Sequence, residues 1–166
     1  MHRMLHILYE TLLLNNKYLR KLFPDTSMQN DGTYFHNALL LFRAPQSAPY
    51  GDMYADIEKF AFFSKAVLSA LPMIDFRPDI IHCHDWQAGL VPVFLDNFRY
   101  GNEWYRGIKT VMTIHNLKFQ GTWDTKRVRD ITGLPQYYFA PDKLEAYKDA
   151  NFLKGGIVYA VLISCA

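Results

Sequence analysis

The sequence predicts an α/β fold, a Rossmann-like parallel sheet with helices on both faces. Half of its 166 residues are hydrophobic and 20% are charged, which is typical of a globular domain with a sizeable core. Short β-branched or apolar runs alternate with stretches of helical periodicity, which is the βαβ pattern of a parallel sheet. Two of the predicted strands end in polar residues, as strands that lead into a binding crevice do.

Each predicted element has a local signal. Strands are predicted from apolar or β-branched runs, at residues 38–42, 79–81, 109–114 and 161–166. Helices are predicted from apolar spacing and from Pro or Gly at their ends, at residues 1–23, 56–71, 90–100, 126–132 and 142–160. Pro92 fits the first turn of its helix, where no backbone hydrogen bond is lost. Residues 117–123 are predicted to form a loop.

Composition and charge limit the classes of protein to which this chain can belong. The net charge is +2 and there is no long basic run, so the sequence gives no sign of nucleic-acid binding. No apolar stretch reaches the 18–20 residues or so of a membrane span, and Glu10 interrupts the segment that a signal peptide would need. The two cysteines are too few for a disulfide framework. A reducing, cytoplasmic location is therefore expected.

The run from His82 to Asp85 raises the question of a metal site. Successive strand residues point to opposite faces, so His82 and His84 share one side and Cys83 the other. The run also lacks the ligand spacing of zinc sites, and no metal or cofactor is expected. Cys83 is predicted to be a small buried hydrophobe, and His82 a hydrogen-bonded core histidine.

The residues at the strand ends carry the functional hypotheses. Asp85 can cap the following helix or bind a substrate hydroxyl, and the spacing does not decide between these roles. Trp86 can lie in the core or stack on a sugar ring at a crevice rim. His84 has no defined role at this point. His115 and Asn116 follow the next strand, so they are expected to face the same crevice as Asp85 unless they only form a turn.

Six stretches together resemble one family, the bacterial glycogen synthases and plant starch synthases, which are glucosyltransferases of the GT-B fold. The stretches occur in the family's order and spacing: YGD (50–52), EKFAFFSKAVLSAL (58–71), RPDIIHCHDWQAGLVPVFL (77–95), KTVMTIHNLKFQG (109–121), GLP (133–135) and LEAYKDANFLKGGIVYA (144–160). By this resemblance, residues 36–166 look like part of the N-terminal catalytic domain, and residues 1–35 remain unplaced.

The resemblance implies transfer of glucose from ADP-glucose, or UDP-glucose in some members, to the non-reducing end of an α-1,4-glucan with retention of configuration. It implies no metal. His115 matches the family's catalytic histidine, and Asp85 matches an aspartate that is important for activity. Trp86, Asn116 and Tyr50 match residues that contact sugar.

The sequence also departs from the family pattern. The family's Lys-Thr-Gly-Gly-Leu loop is not found, and the 166 residues do not include the family's second, nucleotide-binding domain. We therefore expect this chain to be part of a longer enzyme and to be inactive alone. The alternative is a glucan-binding or structural module without transfer chemistry.

Overall fold

The computed structural model describes residues 53–165, which form a parallel sheet with helices and a second, smaller antiparallel sheet. The helices are α1 (Met53–Ala70), α2 (Leu90–Gly101), α3 (Thr125–Thr132) and α4 (Phe152–Tyr159). The strands are β1 (Ile80–His84), β2 (Lys109–Ile114), β3 (Thr122–Asp124), β4 (Glu145–Ala146), β5 (Asp149–Asn151) and β6 (Leu162–Cys165).

The parallel sheet has the order β1-β2-β6, so the predicted α/β fold is confirmed. β2 has the predicted limits, and β6 lies within the predicted terminal strand. β1 is longer than residues 79–81 because pairing with β2 continues to His84, opposite Thr113. The β1–α2–β2 unit therefore brings the carboxyl ends of two neighbouring strands to one edge of the sheet.

The first three helices begin and end near their predicted limits. In α1 the buried residues Ile57, Ala61 and Leu68 recur at helical spacing and face the core. Pro92 lies in the first turn of α2, as predicted. α3 starts at an N-cap, since the Asp124 carboxylate accepts from the Arg127 N–H at 2.8 Å. It ends at Gly133, whose φ of 68° is left-handed.

The predicted helix over residues 142–160 is wrong in its first half. Residues 145–151 form the β4–β5 hairpin, with positive φ at both turn residues, Tyr147 and Lys148. β5 also pairs with β3, which lies in the segment predicted to be a loop. Tertiary pairing has overridden the helical propensity of LEAYKDA. Only residues from Phe152 onward are helical, after the N-cap Asn151.

Three glycines let α4 pack closely against the rest of the domain. A Cβ on Gly89 would lie 2.1 Å from the carbonyl oxygen of Phe152, the first residue of α4. A Cβ on Gly156 would lie 3.1 Å from both the Gly89 Cα and the Met112 side chain in β2. A Cβ on Gly155 would meet Val93 of α2 at 3.0 Å. The position of α4 therefore depends above all on the backbone contact at Gly89, which only glycine permits.

Some of the predictions concern residues outside the described range. These are the helix at residues 1–23, the strand at 38–42, the unplaced segment 1–35 and Tyr50. Among residues 53–165, no helix combines the length and the apolar character needed to cross a bilayer.

We predict that Gly89→Ala will destabilise the fold by at least about 2 kcal/mol, because the new methyl group overlaps the start of α4. Gly101→Ala is the matched control, since Gly101 is exposed at the end of α2 and a Cβ there meets nothing within 4 Å. Urea unfolding of the two variants and the parent chain measures the difference. Equal midpoints for both variants would contradict the close packing.

Candidate functional site

The structure brings Asp85, His115 and Asn116 together at the carboxyl ends of β1 and β2. The Asp85 backbone N–H donates to the Thr113 carbonyl at 2.9 Å, so the pairing of the two strands reaches the start of the site. His115 and Asn116 follow β2 directly, and both are exposed. The three residues therefore lie at one edge of the sheet, and the shared crevice expected from the sequence stays a prediction.

Asp85 connects the two strand ends through its side chain. Its Oδ1 accepts from the backbone N–H of His115 at 2.7 Å and from that of Asn116 at 3.4 Å. It makes no side-chain hydrogen bond as a cap for the helical turn Trp86–Ala88. The helix-capping role is therefore not the one observed. Instead the carboxylate satisfies N–H groups that the end of β2 leaves without a strand partner.

The backbone of Asp85 is strained. Its φ of 56° and ψ of −177° lie in a backbone region that residues other than glycine rarely adopt. This conformation turns the chain sharply between β1 and the following helical turn, and it accompanies the contact of the carboxylate with the end of β2. Strain of this kind is found mainly where function requires a particular geometry.

His84 and His115 form a pair of imidazoles. Nδ1 of His84 lies 3.0 Å from Nε2 of His115, and their ring planes are inclined by 24°. Partial burial lowers the pKa of His84, with further lowering by His82 and His115 and an opposing effect of Asp85. These effects favour the neutral form of His84, while the His115 side chain remains accessible from solvent.

His82 lies on the same side of β1 as His84, but it is not in the core. It is exposed, so its predicted core position is wrong, although its predicted hydrogen bonding is present. Its Nε2 lies 2.7 Å from Thr113 Oγ1, which in turn lies 2.8 Å from Ser164 Oγ in β6. The prediction fails because this face of β1 is opposite to the one on which Cys83 is buried.

Cys83 is a buried residue of the sheet, as predicted. Its side chain is 2% exposed, and burial raises the pKa of its thiol to about 12. A thiol in this environment is neither nucleophile nor ligand at neutral pH.

Trp86 occupies the core position of its two predicted alternatives. It is 4% exposed and packs edge-on against Phe60, with ring centroids 4.8 Å apart, and against Trp123 at 5.3 Å. A Cβ on Gly121 would lie 2.5 Å from its indole ring. Trp86 therefore packs against the core side of the loop that follows His115. Because it is buried, it offers no open ring face to a sugar in this structure.

The loop from His115 to Gly121 is fixed to the start of α4. The carbonyls of Gln120 and Gly121 accept from the backbone N–H groups of Leu153 at 3.0 Å and Phe152 at 2.9 Å. The Asn151 side chain donates to Gln120 Oε1 at 2.7 Å. These bonds use N–H groups that the first turn of a helix leaves unpaired. This anchor was not predicted from the sequence, although Asn151 before an apolar run is a signal for the start of a helix.

Asn116 has one end of its amide engaged and the other open. Its Oδ1 accepts from the Lys118 backbone N–H at 3.0 Å, which closes a tight turn. Among residues 53–165 its NH₂ group has no hydrogen-bond partner, and because Asn116 is exposed these two donors are accessible. Within the same range, no three His, Cys, Asp or Glu side chains are arranged to hold a metal ion.

Comparisons with known proteins identify the domain. A family model described as starch synthase catalytic domain matches residues 13–165, and so begins inside the segment left unplaced above. A glycogen synthase from Lachnoclostridium phytofermentans is 62% identical over 136 residues, which cover 82% of this chain and 28% of that protein. One from Lachnospira eligens is 70% identical over 112 residues, covering 68% of this chain and 23% of that protein.

A solved structure gives the same result. The catalytic domain of starch synthase IV from Arabidopsis thaliana, bound to ADP and acarbose, matches with a TM-score of 0.62 and 29% identity. The match covers 71% of this chain and 24% of that one. The fold is that of a GT-B glycosyltransferase domain. The chain belongs to the starch synthase catalytic domain family, and it spans about a quarter of the length of the curated relatives it matches.

We predict that Asp85→Ala will loosen the end of β2, because it removes a charged acceptor from two backbone N–H groups. The expected cost is about 1.5 kcal/mol, the lower end for such bonds since the site is open to water. Amide hydrogen exchange of His115 and Asn116 should become faster than in the parent. Asp85→Asn should have a smaller effect because Asn tolerates positive φ and keeps an acceptor oxygen. Unchanged exchange in Asp85→Ala would contradict the role of the carboxylate.

The two cysteines should differ in reactivity. Both are free thiols, with Cys83 buried and Cys165 exposed. We predict that the folded chain reacts rapidly with one equivalent of a thiol reagent, and with a second only after unfolding in guanidinium. Cys83→Ser should abolish the second reaction and leave the first. Two equally fast reactions in the folded chain would contradict the burial of Cys83.

Proposed function

We propose that the protein containing this chain is a glycogen synthase, which transfers glucose from ADP-glucose to the non-reducing end of an α-1,4-glucan with retention of configuration. The observation that carries the proposal is an exposed histidine, His115, fixed at the strand ends of a domain that is 62–70% identical to segments of two glycogen synthases. A cytoplasmic location belongs to the proposal, because free thiols fit a reducing compartment.

His115 is proposed to bind the transferred glucose near the reacting carbon. Its Nε2 is engaged by His84, so Nδ1 is the ring atom left to meet a substrate. A hydrogen bond from this position would stabilise charge that develops as the glucosyl group leaves the nucleotide. The backbone bonds from His115 and Asn116 to Asp85 would keep the imidazole in place before substrate arrives, which is the type of positioning on which such transfer depends.

Asp85 is proposed to act on catalysis by positioning His115. Retaining glycosidases that form a covalent intermediate need two carboxylates about 5–5.5 Å apart. Around His115, the described residues supply one, and its Oδ1 is occupied by backbone N–H groups. This arrangement favours the same-face mechanism described for the family, in which the acceptor hydroxyl attacks on the side from which the diphosphate departs.

The remaining predicted residues have different parts in the proposal. The open NH₂ of Asn116 would donate to sugar hydroxyls beside His115. Trp86 would act from the core, by holding Gly121 and with it the loop. Tyr50 is proposed as a sugar contact by resemblance alone, since it lies outside the described residues.

The donor and the second domain are inferred from relatives. The Arabidopsis starch synthase IV domain was solved with ADP and acarbose bound, which supports an adenine nucleotide sugar as donor and an oligosaccharide as acceptor. In a GT-B enzyme the nucleotide site lies largely on a second, C-terminal domain. We propose that this chain is active only together with such a domain, which would also supply the cationic group that the departing diphosphate needs.

A chimera tests the proposed function. The segment of the Lachnoclostridium phytofermentans glycogen synthase that matches this chain would be replaced by the corresponding 136 residues. We predict that the chimera elongates glycogen from ADP-glucose, and that His115→Ala lowers its kcat at least about 100-fold through loss of a transition-state hydrogen bond. Incorporation of labelled glucose, with ADP-glucose and UDP-glucose compared, gives the measurement.

The control variant is Lys126→Ala, on the exposed surface of α3, where an ion pair with Asp130 contributes little. It should leave kcat unchanged. A folded but inactive chimera, or equal activity with and without His115, would contradict the proposal. Elongation of glycogen by the purified 166-residue chain alone would contradict the need for a second domain, and binding of maltooligosaccharide without transfer in the chimera would favour the glucan-binding alternative.

A further inference from the structure

We propose that His84 is a positioning residue for the transfer reaction, which keeps a proton on Nδ1 of His115 so that His115 meets the sugar as a hydrogen-bond donor. The inference deepens the proposed function and rests on it. No role for His84 follows from the sequence pattern. Its place in the structure, with Nδ1 3.0 Å from Nε2 of His115, gives it one.

The chemistry of paired imidazoles leads to this role. A hydrogen bond between two ring nitrogens contains one hydrogen, and a neutral imidazole carries its single N–H on one nitrogen only. When His84 donates from Nδ1, Nε2 of His115 is the acceptor, and the proton of neutral His115 must lie on Nδ1. The atom that faces away from His84 is then an N–H donor, which suits the oxygen atoms of a sugar or a departing phosphate.

The pair also keeps this donor when His115 takes up a proton. A protonated His115 carries hydrogen on both nitrogens, and its Nε2 can donate to a bare Nδ1 of His84. Nδ1 of His115 is again a donor. The one arrangement that would remove the donor is neutral His115 with its proton on Nε2. A second histidine can give or accept this hydrogen, whereas a carboxylate in its place could only accept.

The ring of His84 is held where this bond requires it. It lies between the His82 ring, with centroids 4.2 Å apart, and the His115 ring at 5.3 Å. His82 is fixed by Thr113, which is hydrogen-bonded to Ser164, so the support extends across all three strands of the parallel sheet. The titratable groups that face His84 among the described residues are His82, His115 and Asp85, and its burial and the two histidines favour its neutral form.

Two substitutions of similar size separate the hydrogen bond from packing. In His84→Asn the side-chain amide nitrogen takes the place of Nδ1 and can donate to His115. In His84→Leu a side chain of comparable volume cannot donate. A structural role for His84 would be affected in both variants, whereas the proposed role should be lost in His84→Leu and restored in His84→Asn.

The first measurement does not depend on enzyme activity. Nitrogen-15 spectra of the full 166-residue chain, labelled on histidine and recorded above the imidazole pKa, report which nitrogen of His115 carries the proton. The sequence has six histidines, so His115→Gln identifies the signals. We expect the Nδ1–H form in the parent and in His84→Asn, and a shift toward the Nε2–H form in His84→Leu. A parent in the Nε2–H form, or no change in His84→Leu, would overturn the proposal.

The second measurement uses the chimera described above. His84→Leu should lower kcat about 10- to 100-fold, the range typical when the partner that orients an active group is removed, and leave the KM for glycogen nearly unchanged. His84→Asn should recover most of the loss. Equal kcat in all three proteins would overturn the inference, as would an effect on KM alone. An inactive chimera whose His115 still shows the expected proton position would contradict the proposed function, and would support only the effect of His84 on the proton of His115.

Discussion

The close backbone contact between Gly89 and the first turn of α4 is the constraint on which the site depends. The carbonyl of Phe152 occupies the volume that any side chain at residue 89 would need, and Gly156 continues the same contact one turn later. Because α4 is fixed in this way, its first N–H groups lie where the carbonyls of Gln120 and Gly121 can accept from them. This packing contact thus determines where the loop after His115 lies.

The site is consequently held through its backbone. At one end of the His115 loop, Asp85 accepts the N–H groups that β2 leaves unpaired, and at the other end the loop carbonyls bind the start of α4. Between these two ends, the Trp86 ring packs directly against Gly121 on the core side of the loop. Among residues 53–165, His84 is the one residue that hydrogen-bonds to a ring nitrogen of His115. Such an arrangement fixes the backbone of His115 and leaves its side chain accessible.

The sequence predicted the parts of this architecture that follow from short-range signals. Helical spacing in α1, the N-terminal Pro92 and the β-branched run of β2 each reflect local propensity and burial. The prediction of a helix across Tyr147 was wrong, because β5 pairs with β3, a partner more than 20 residues away in the sequence. Within the site, residue types at the strand ends predicted which side chains meet. They could not predict that the Asp85 carboxylate binds backbone, since this requires its left-handed φ.

The contact between the two buried tryptophans makes the molecule its own optical probe. Trp86 packs on Gly121 of the His115 loop, and Trp123 follows in β3, directly beyond that loop. Both indole N–H groups are buried without a hydrogen-bond partner among the described residues, so their excited states report a dry environment. A movement of the His115 loop would therefore shift one ring against the other. The emission and near-ultraviolet dichroism of this pair therefore record the position of the site without an added label.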